Sequence, residues 1–261
     1  MPWTERQRAM LGAMGLRVWT PPAPAAAPAP SAPPVAARAA PAAAPAAAPA
    51  AAPVAAPAAT AARPDVAASD WPALRAAVSA CRACGLCETR TQTVFGVGHE
   101  RAHWLVLGEA PGENEDLQGE PFVGAAGQLL DRMLAALNLT RSSEGDTPPA
   151  QRVFIANTLK CRPPGNRNPA PAELSQCEPF LVRQIELLQP RIVLALGKFA
   201  AQALLRSDAP VGKLRGRVHR YQGVPLIVSY HPAYLLRSPL EKARAWEDLC
   251  LAAQVAEGQA T

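Results

Sequence analysis

From Pro21 to Pro64 the chain is almost nothing but alanine and proline, with Arg38 and Arg63 as its only charges. Such a tract has neither the apolar periodicity nor the turn chemistry from which a core is built. A proline every few residues removes backbone donors and drives the preceding residue toward extended conformations. Residues 21–64 are therefore expected to be a disordered, semi-rigid, polyproline-like linker. Any fold must come from the pieces on either side. Residues 1–20 form a short segment whose apolar run is broken by Arg8 and Arg17. It lacks the apolar stretch and small-residue cleavage site of a secretory signal, and nothing in the chain approaches the ~20 apolar residues of a membrane span. A cytoplasmic protein is expected. The roughly 195 residues that follow, 65–261, suffice for one domain with its own core.

Within that domain, apolar runs closed by turn residues alternate with helical patterns. The runs in HWLVLGEAPG, RVFIANTLKC, RIVLALG and VPLIVSYHP predict four strands. Helices are expected in WPALRAAVSA, with proline in its first turn, and in AAGQLLDRMLAALNL, ELSQCEPFLVRQIELLQP, KFAAQALL and SPLEKARAWEDLCLAAQVA, the last capped by Ser238. Strands separated by helices of this length imply an α/β fold, a three-layer sandwich whose central, mostly parallel four-stranded sheet is flanked by helices. In such sheets ligands bind beyond the C-terminal ends of the strands, and Glu109, Asn157 and His231 each follow a strand there. Three polar residues far apart in sequence are thus expected to share one pocket.

Six cysteines in a chain of this kind argue against a disulfide framework. Cys81 and Cys84 form one pair with two residues between them; Cys161 and Cys177 flank a proline-rich loop. Four thiolates suit either a tetrahedral zinc or an iron–sulfur cluster, and the spacing leaves both open. Cys87 extends the first pair toward a ferredoxin-like run, whereas Cys250 lies on the apolar face of the closing helix. The net charge of +5 suits a polyanionic partner.

The segments GEAPGENEDLQGEPFVGAAGQLLDRML, NTLKCRPPGNRNP and SYHPAYLLR, in this order and spacing, resemble the motifs of the family 4 uracil-DNA glycosylases, the iron–sulfur branch of that superfamily. The likeness runs from Trp71 to the last helix. It implies a uracil-DNA glycosylase-like fold, hydrolysis of the N-glycosidic bond of deoxyuridine, and a [4Fe-4S] cluster held by Cys81, Cys84, Cys161 and Cys177. The pocket residues make chemical sense for that reaction. Phe122 stacks on the base, Asn157 matches the N3–H donor and O4 acceptor of uracil, and His231 donates to O2 as the base leaves as an anion. Glu109, with the backbone at Ala110, orients water or stabilises the cationic sugar. Glu113 is a second candidate carboxylate, placed to crowd a thymine methyl. In HPAYLLRSP, Leu235 is the expected wedge that fills the gap left by an extruded base and Arg237 a phosphate contact. Lys213, Arg215, Arg217 and Arg220, with Arg162 and Arg167, form a candidate phosphate rim.

Relatives that become covalently attached to the uracil site carry a basic loop ending in histidine after the asparagine-bearing strand. CRPPGNRNPAPAEL contains no histidine, so turnover is expected. Two other readings are a non-catalytic iron–sulfur DNA-binding protein, against which the complete set of Glu109, Phe122, Asn157 and His231 argues, and a redox protein, against which the lack of a second cofactor motif argues. The expected partner is uracil-containing DNA, single- or double-stranded, met by a monomer at the bacterial nucleoid. Residues 1–20 on their long spacer are a candidate docking segment for a replication or repair protein.

Overall fold

The computed structural model describes residues 64–258. The expectations for residues 1–20 and for all but the last residue of the linker lie outside the described residues.

The first helix, α1 (Trp71–Ala80), starts where the Asp70 side chain accepts a hydrogen bond from the amide of Ala73 at 2.9 Å and Pro72 presets the first turn. A single turn, α2 (Leu86–Thr89), follows the first cysteines. The sheet comprises β1 (Val97–Gly98), β2 (Trp104–Gly108), β3 (Val153–Asn157), β4 (Ile192–Leu196), β5 (Val218–Tyr221) and β6 (Val224–Ser229), in the order β1-β3-β2-β4-β6-β5. Its four inner strands run parallel, and β1 and β5 add antiparallel edges. The six-stranded mixed sheet corrects the expectation of four strands. All four expected strands are present; the additions are the two edges. β1 is only two residues long. β5 joins β6 through Gln222 and Gly223, both with positive φ (48° and 86°), the conformation of a tight hairpin turn.

Strands β2, β3 and β4 are buried at every position, as parallel strands covered on both faces must be. Alternate side chains serve opposite layers. Leu105, Leu107, Phe154, Ala156, Val193 and Ala195 join a core with α1, α5 (Pro171–Leu188) and α6 (Lys198–Leu205). Trp104, Val106, Val153, Ile155 and Ile192 join the opposite core with α4 (Ala125–Ala135) and α9 (Lys242–Ala256). Three short helices complete the fold: α3 (Glu113–Gln118), α7 (Val211–Leu214) and α8 (Pro232–Arg237). The closing helix starts later than expected. A 3₁₀ turn over Pro239–Glu241 intervenes, and Glu241 rather than Ser238 precedes α9. Among the described residues no helix is long and apolar enough to cross a membrane.

Candidate active site

Parallel register brings strand ends together. Gly108 pairs with Asn157 across β2 and β3, and Leu196 with Ser229 across β4 and β6, so the segments leaving these strands open on one edge of the sheet. A cavity of about 480 Å³ lies there, lined among others by Glu109, Ala110, Phe122, Asn157, His231 and Arg237. The two loops after β2 and β3 are stitched to each other. The amide of Thr158 donates to the carbonyl of Gly108 (3.1 Å), and that of Leu159 to the carbonyl of Glu109 (3.1 Å), which also accepts from the Thr158 hydroxyl.

Phe122 is held against its intrinsic preference. Its φ is +56°, a left-handed conformation that costs a non-glycine residue free energy and persists only where its surroundings enforce it. Arg141 donates to the carbonyls of Pro121 (3.0 Å) and Phe122 (3.2 Å). Gly127 in α4 lets the helix come so close that an added Cβ would sit 1.7 Å from the Phe122 carbonyl oxygen. The Phe122 ring lies 5.4 Å from the imidazole of His231, with 27° between planes. Gly108 keeps the other side clear, since a Cβ there would meet Asn157 Oδ1 at 2.3 Å and the Phe122 ring at 2.7 Å.

His231 lies two residues beyond the end of β6 and caps α8. Its Nδ1 accepts from the amide of Ala233 at 3.2 Å, which places the ring proton of a neutral imidazole on Nε2. Burial, assisted by the nearby Arg237, lowers its pKa to about 4, so the ring is neutral at physiological pH. Burial acts oppositely on Glu109, whose carboxyl is pushed up to about 7.

Two expected residues lie elsewhere. The Glu113 side chain is 65% exposed, sits 3.7 Å from Arg162 and does not line the cavity. Glu115 does: it accepts from the amides of Gly112 (3.1 Å), Val123 (3.0 Å) and Gly124 (3.3 Å), joining the two loops that flank the base of the pocket. The Gly112-x-x-Glu115 spacing of a capping box was the available signal for it. Leu235, the expected wedge, is 1% exposed and lines a small internal cavity with Leu129, Met133 and Leu249, whereas its neighbour Leu236 is 45% exposed. One residue along a helix rotates the side chain by about 100°, which separates the buried leucine from the solvent-facing one. Arg167 lines the cavity while paired with Glu173. Arg215 is committed to Asp248 and Glu247, which leaves it a structural rather than a phosphate-facing cation.

Cys81, Cys84, Cys87, Cys161 and Cys177 line a second, small cavity under α1 and α5. Two donors point at its sulfurs: Arg90 Nη1 to Cys161 Sγ (2.9 Å) and the Lys160 amide to Cys177 Sγ (3.2 Å). Burial pushes the Cys161 thiol up to about 11 and that of Cys177 up to about 12. Among the described residues no group of three or more His, Cys, Asp or Glu side chains is arranged to hold a metal ion.

A sequence model of the Uracil DNA glycosylase superfamily matches residues 95–250, which include every residue named in the larger cavity. The chain belongs to the uracil-DNA glycosylase superfamily. Its curated relatives include several type-4 uracil-DNA glycosylases. It is 43% identical over 170 residues to the type-4 uracil-DNA glycosylase of Archaeoglobus fulgidus, covering 62% of this chain and 81% of that one. Identity to the type-4 enzyme of Pyrobaculum aerophilum is 40% over 192 residues (70% and 92%), and to that of Thermotoga maritima 38% over 169 residues (64% and 83%).

Proposed function

We propose that this chain is a uracil-DNA glycosylase that hydrolyses the N-glycosidic bond of deoxyuridine in DNA, releases uracil and leaves an abasic site, the first step of base excision repair. The observation that carries the reading is His231, a neutral imidazole whose Nδ1 is occupied by the Ala233 amide and whose Nε2–H is thereby free to donate. Negative charge develops on uracil O2 as the bond to the sugar breaks, and a fixed donor at that oxygen lowers the barrier because it binds the transition state more strongly than the ground state. A neutral ring donates without having to give up a proton, so the base departs as an anion.

The remaining roles follow from the lining of the cavity. Phe122 supplies a flat face stacked at 27° to His231, and Asn157 reads the N3–H and O4 edge. Glu109 lines the cavity with Ala110 beside it, and its assigned role in the carboxylate form is to orient the attacking water or stabilise the oxocarbenium-like sugar. Arg237 and the exposed Leu236 replace Arg237 and Leu235 as the pair that meets the strand. The segment CRPPGNRNPAPAEL after β3 carries no histidine that could form a covalent adduct with the sugar, which supports turnover.

Cys81, Cys84, Cys161 and Cys177 would hold the [4Fe-4S] cluster of the type-4 branch. Their common cavity and the N–H donors aimed at Cys161 and Cys177 suit bound thiolates, whose sulfurs carry negative charge. When bound, the cluster would crosslink the segment after α1, the segment after β3 and α5 itself, which carries Cys177. Residues 65–261 form the catalytic domain, 21–64 a linker, and 1–20 a docking segment for a repair or replication protein; the enzyme works as a cytoplasmic monomer on nucleoid DNA.

The test is excision from a labelled oligonucleotide carrying one uracil, followed by alkaline scission. Wild type cuts at the uracil; His231→Ala loses the activity by about 10²–10³-fold, the effect of removing one oxyanion donor; Asn157→Asp extends cutting to cytosine. No scission by cluster-loaded wild type overturns the reading.

A further inference from the structure

Lys160 is 1% exposed; its backbone lines the cysteine cavity, while its side chain reaches toward the larger one. Its Nζ donates to the main-chain carbonyl of Asn157 at 2.9 Å and to Gln184 Oε1 at 2.6 Å, and the Gln184 amide is in turn fixed by donating to the Phe95 carbonyl at 2.9 Å. Its backbone amide donates to Cys177 Sγ, and Cys161 is the next residue in the chain. Both partners of the ammonium are neutral oxygens.

The four residues 157–160 form a turn in which every member is tied. Thr158 and Leu159 bind the loop after β2, Lys160 binds Cys177, and the carbonyl that opens the turn is held by the Lys160 ammonium. The position of that carbonyl fixes the peptide plane next to the Asn157 Cα, and with it the direction in which the side chain enters the pocket.

We propose that Lys160 is a positioning residue through which the cysteine site orients Asn157 for reading the uracil edge. The inference rests on the uracil-glycosylase reading. It assigns Lys160 no contact with substrate and no proton transfer. The ammonium acts as a strut, anchored beside the thiolates and ending on the backbone of the base-reading residue.

The test uses the full-length, cluster-loaded protein and Lys160→Met, which keeps the apolar stem and removes the donor. Free uracil and abasic-site DNA are the probes, with visible absorbance and iron content reporting the cluster. The expected result is a dissociation constant for uracil raised about tenfold or more, affinity for abasic DNA within twofold of wild type, and the cluster retained. An unchanged uracil affinity in folded, loaded Lys160→Met overturns the proposal, as does an equal loss on both probes, which is the signature of general destabilisation. If the Met variant does not fold, Gln184→Glu is read in the same way: it keeps the lysine but offers its ammonium a carboxylate that competes with the Asn157 carbonyl. Uracil affinity within twofold of wild type in that variant also overturns the proposal. Failure of the wild type itself to bind uracil would instead sink the glycosylase reading, so the two failures are distinct.

Discussion

Glu109 and His231 have been moved in opposite directions by the same cause, and the pH profile should report both. Below about pH 7 the Glu109 carboxyl is protonated, so kcat/KM should fall about tenfold per pH unit on the acid side and level off above. Glu109→Gln should be slower and flat through that range, and a sloping profile in the variant would assign the ionisation elsewhere. His231 does not contribute to this limb, because its ring stays neutral down to about pH 4. Stability carries the opposite sign. A carboxyl whose folded pKa lies above its unfolded value stabilises the protein when protonated, and that contribution is lost as pH rises from about 4.5 through about 7. Glu109→Gln should therefore raise the melting temperature more at pH 8 than at pH 5. Gly108 gives a purely steric test. With a Cβ only 2.3 Å from Asn157 Oδ1 and 2.7 Å from the Phe122 ring, Gly108→Ala should abolish uracil binding and lower stability by about 1–3 kcal/mol, as overpacking does. At this scale the sequence announced the polar residues, because Glu109, Asn157 and His231 each follow an apolar run. It concealed the glycines that make room for them: a Gly beside a strand end reads as a turn until the partner that approaches it is known. Glu115 was hidden by its neighbours, since four acidic or amide side chains stand in the run Glu113–Asp116 and only the capping geometry selects one.

Helix α8 shows how an element decides between adjacent residues. The motif contains two leucines, and motif position points to Leu235; the helix turns that side chain inward, where it lines a small cavity with Leu129, Met133, Trp246 and Leu249. Leu235→Ala should cost about 2–5 kcal/mol in a denaturation experiment, whereas Leu236→Ala should leave stability nearly unchanged and weaken excision from duplex more than from single-stranded DNA. The reverse pattern would restore Leu235 as the wedge. The four inner strands were legible because continuous apolar runs closed by glycine or proline are what a doubly covered parallel sheet demands. The edges were not. β1 offers two residues, too few for any period, and β5 alternates only weakly, with His219 and Arg220 in its four positions. A local signal for β5 did exist in Gln222-Gly223, a two-residue turn with both φ values positive.

At the scale of the whole chain, the site residues and all five clustered cysteines fall within residues 81–237, and every contact named above is made inside the described region. Removal of residues 1–63 should leave excision on a short oligonucleotide within about twofold of the full chain, measured as kcat/KM; a large loss would place part of the enzyme in the N-terminal segment. The order of the molecule's layers was readable from alternation alone, but the convergence of two cysteine pairs on one cavity depends on α1 and α5 lying on the same face of the sheet, which no local pattern encodes.

The stitching of the loops after β2 and β3 bears on how the protein fails when heated. The hydrogen bonds from Thr158 and Leu159 to Gly108 and Glu109 extend a fully buried ladder of the sheet directly into the pocket. Amide protons there should exchange with solvent only through complete unfolding, so the catalytic apparatus has no private route to melting. Heat inactivation and loss of the fold should then share a single midpoint, and an enzyme warmed to just below it should remain fully competent to search for damage.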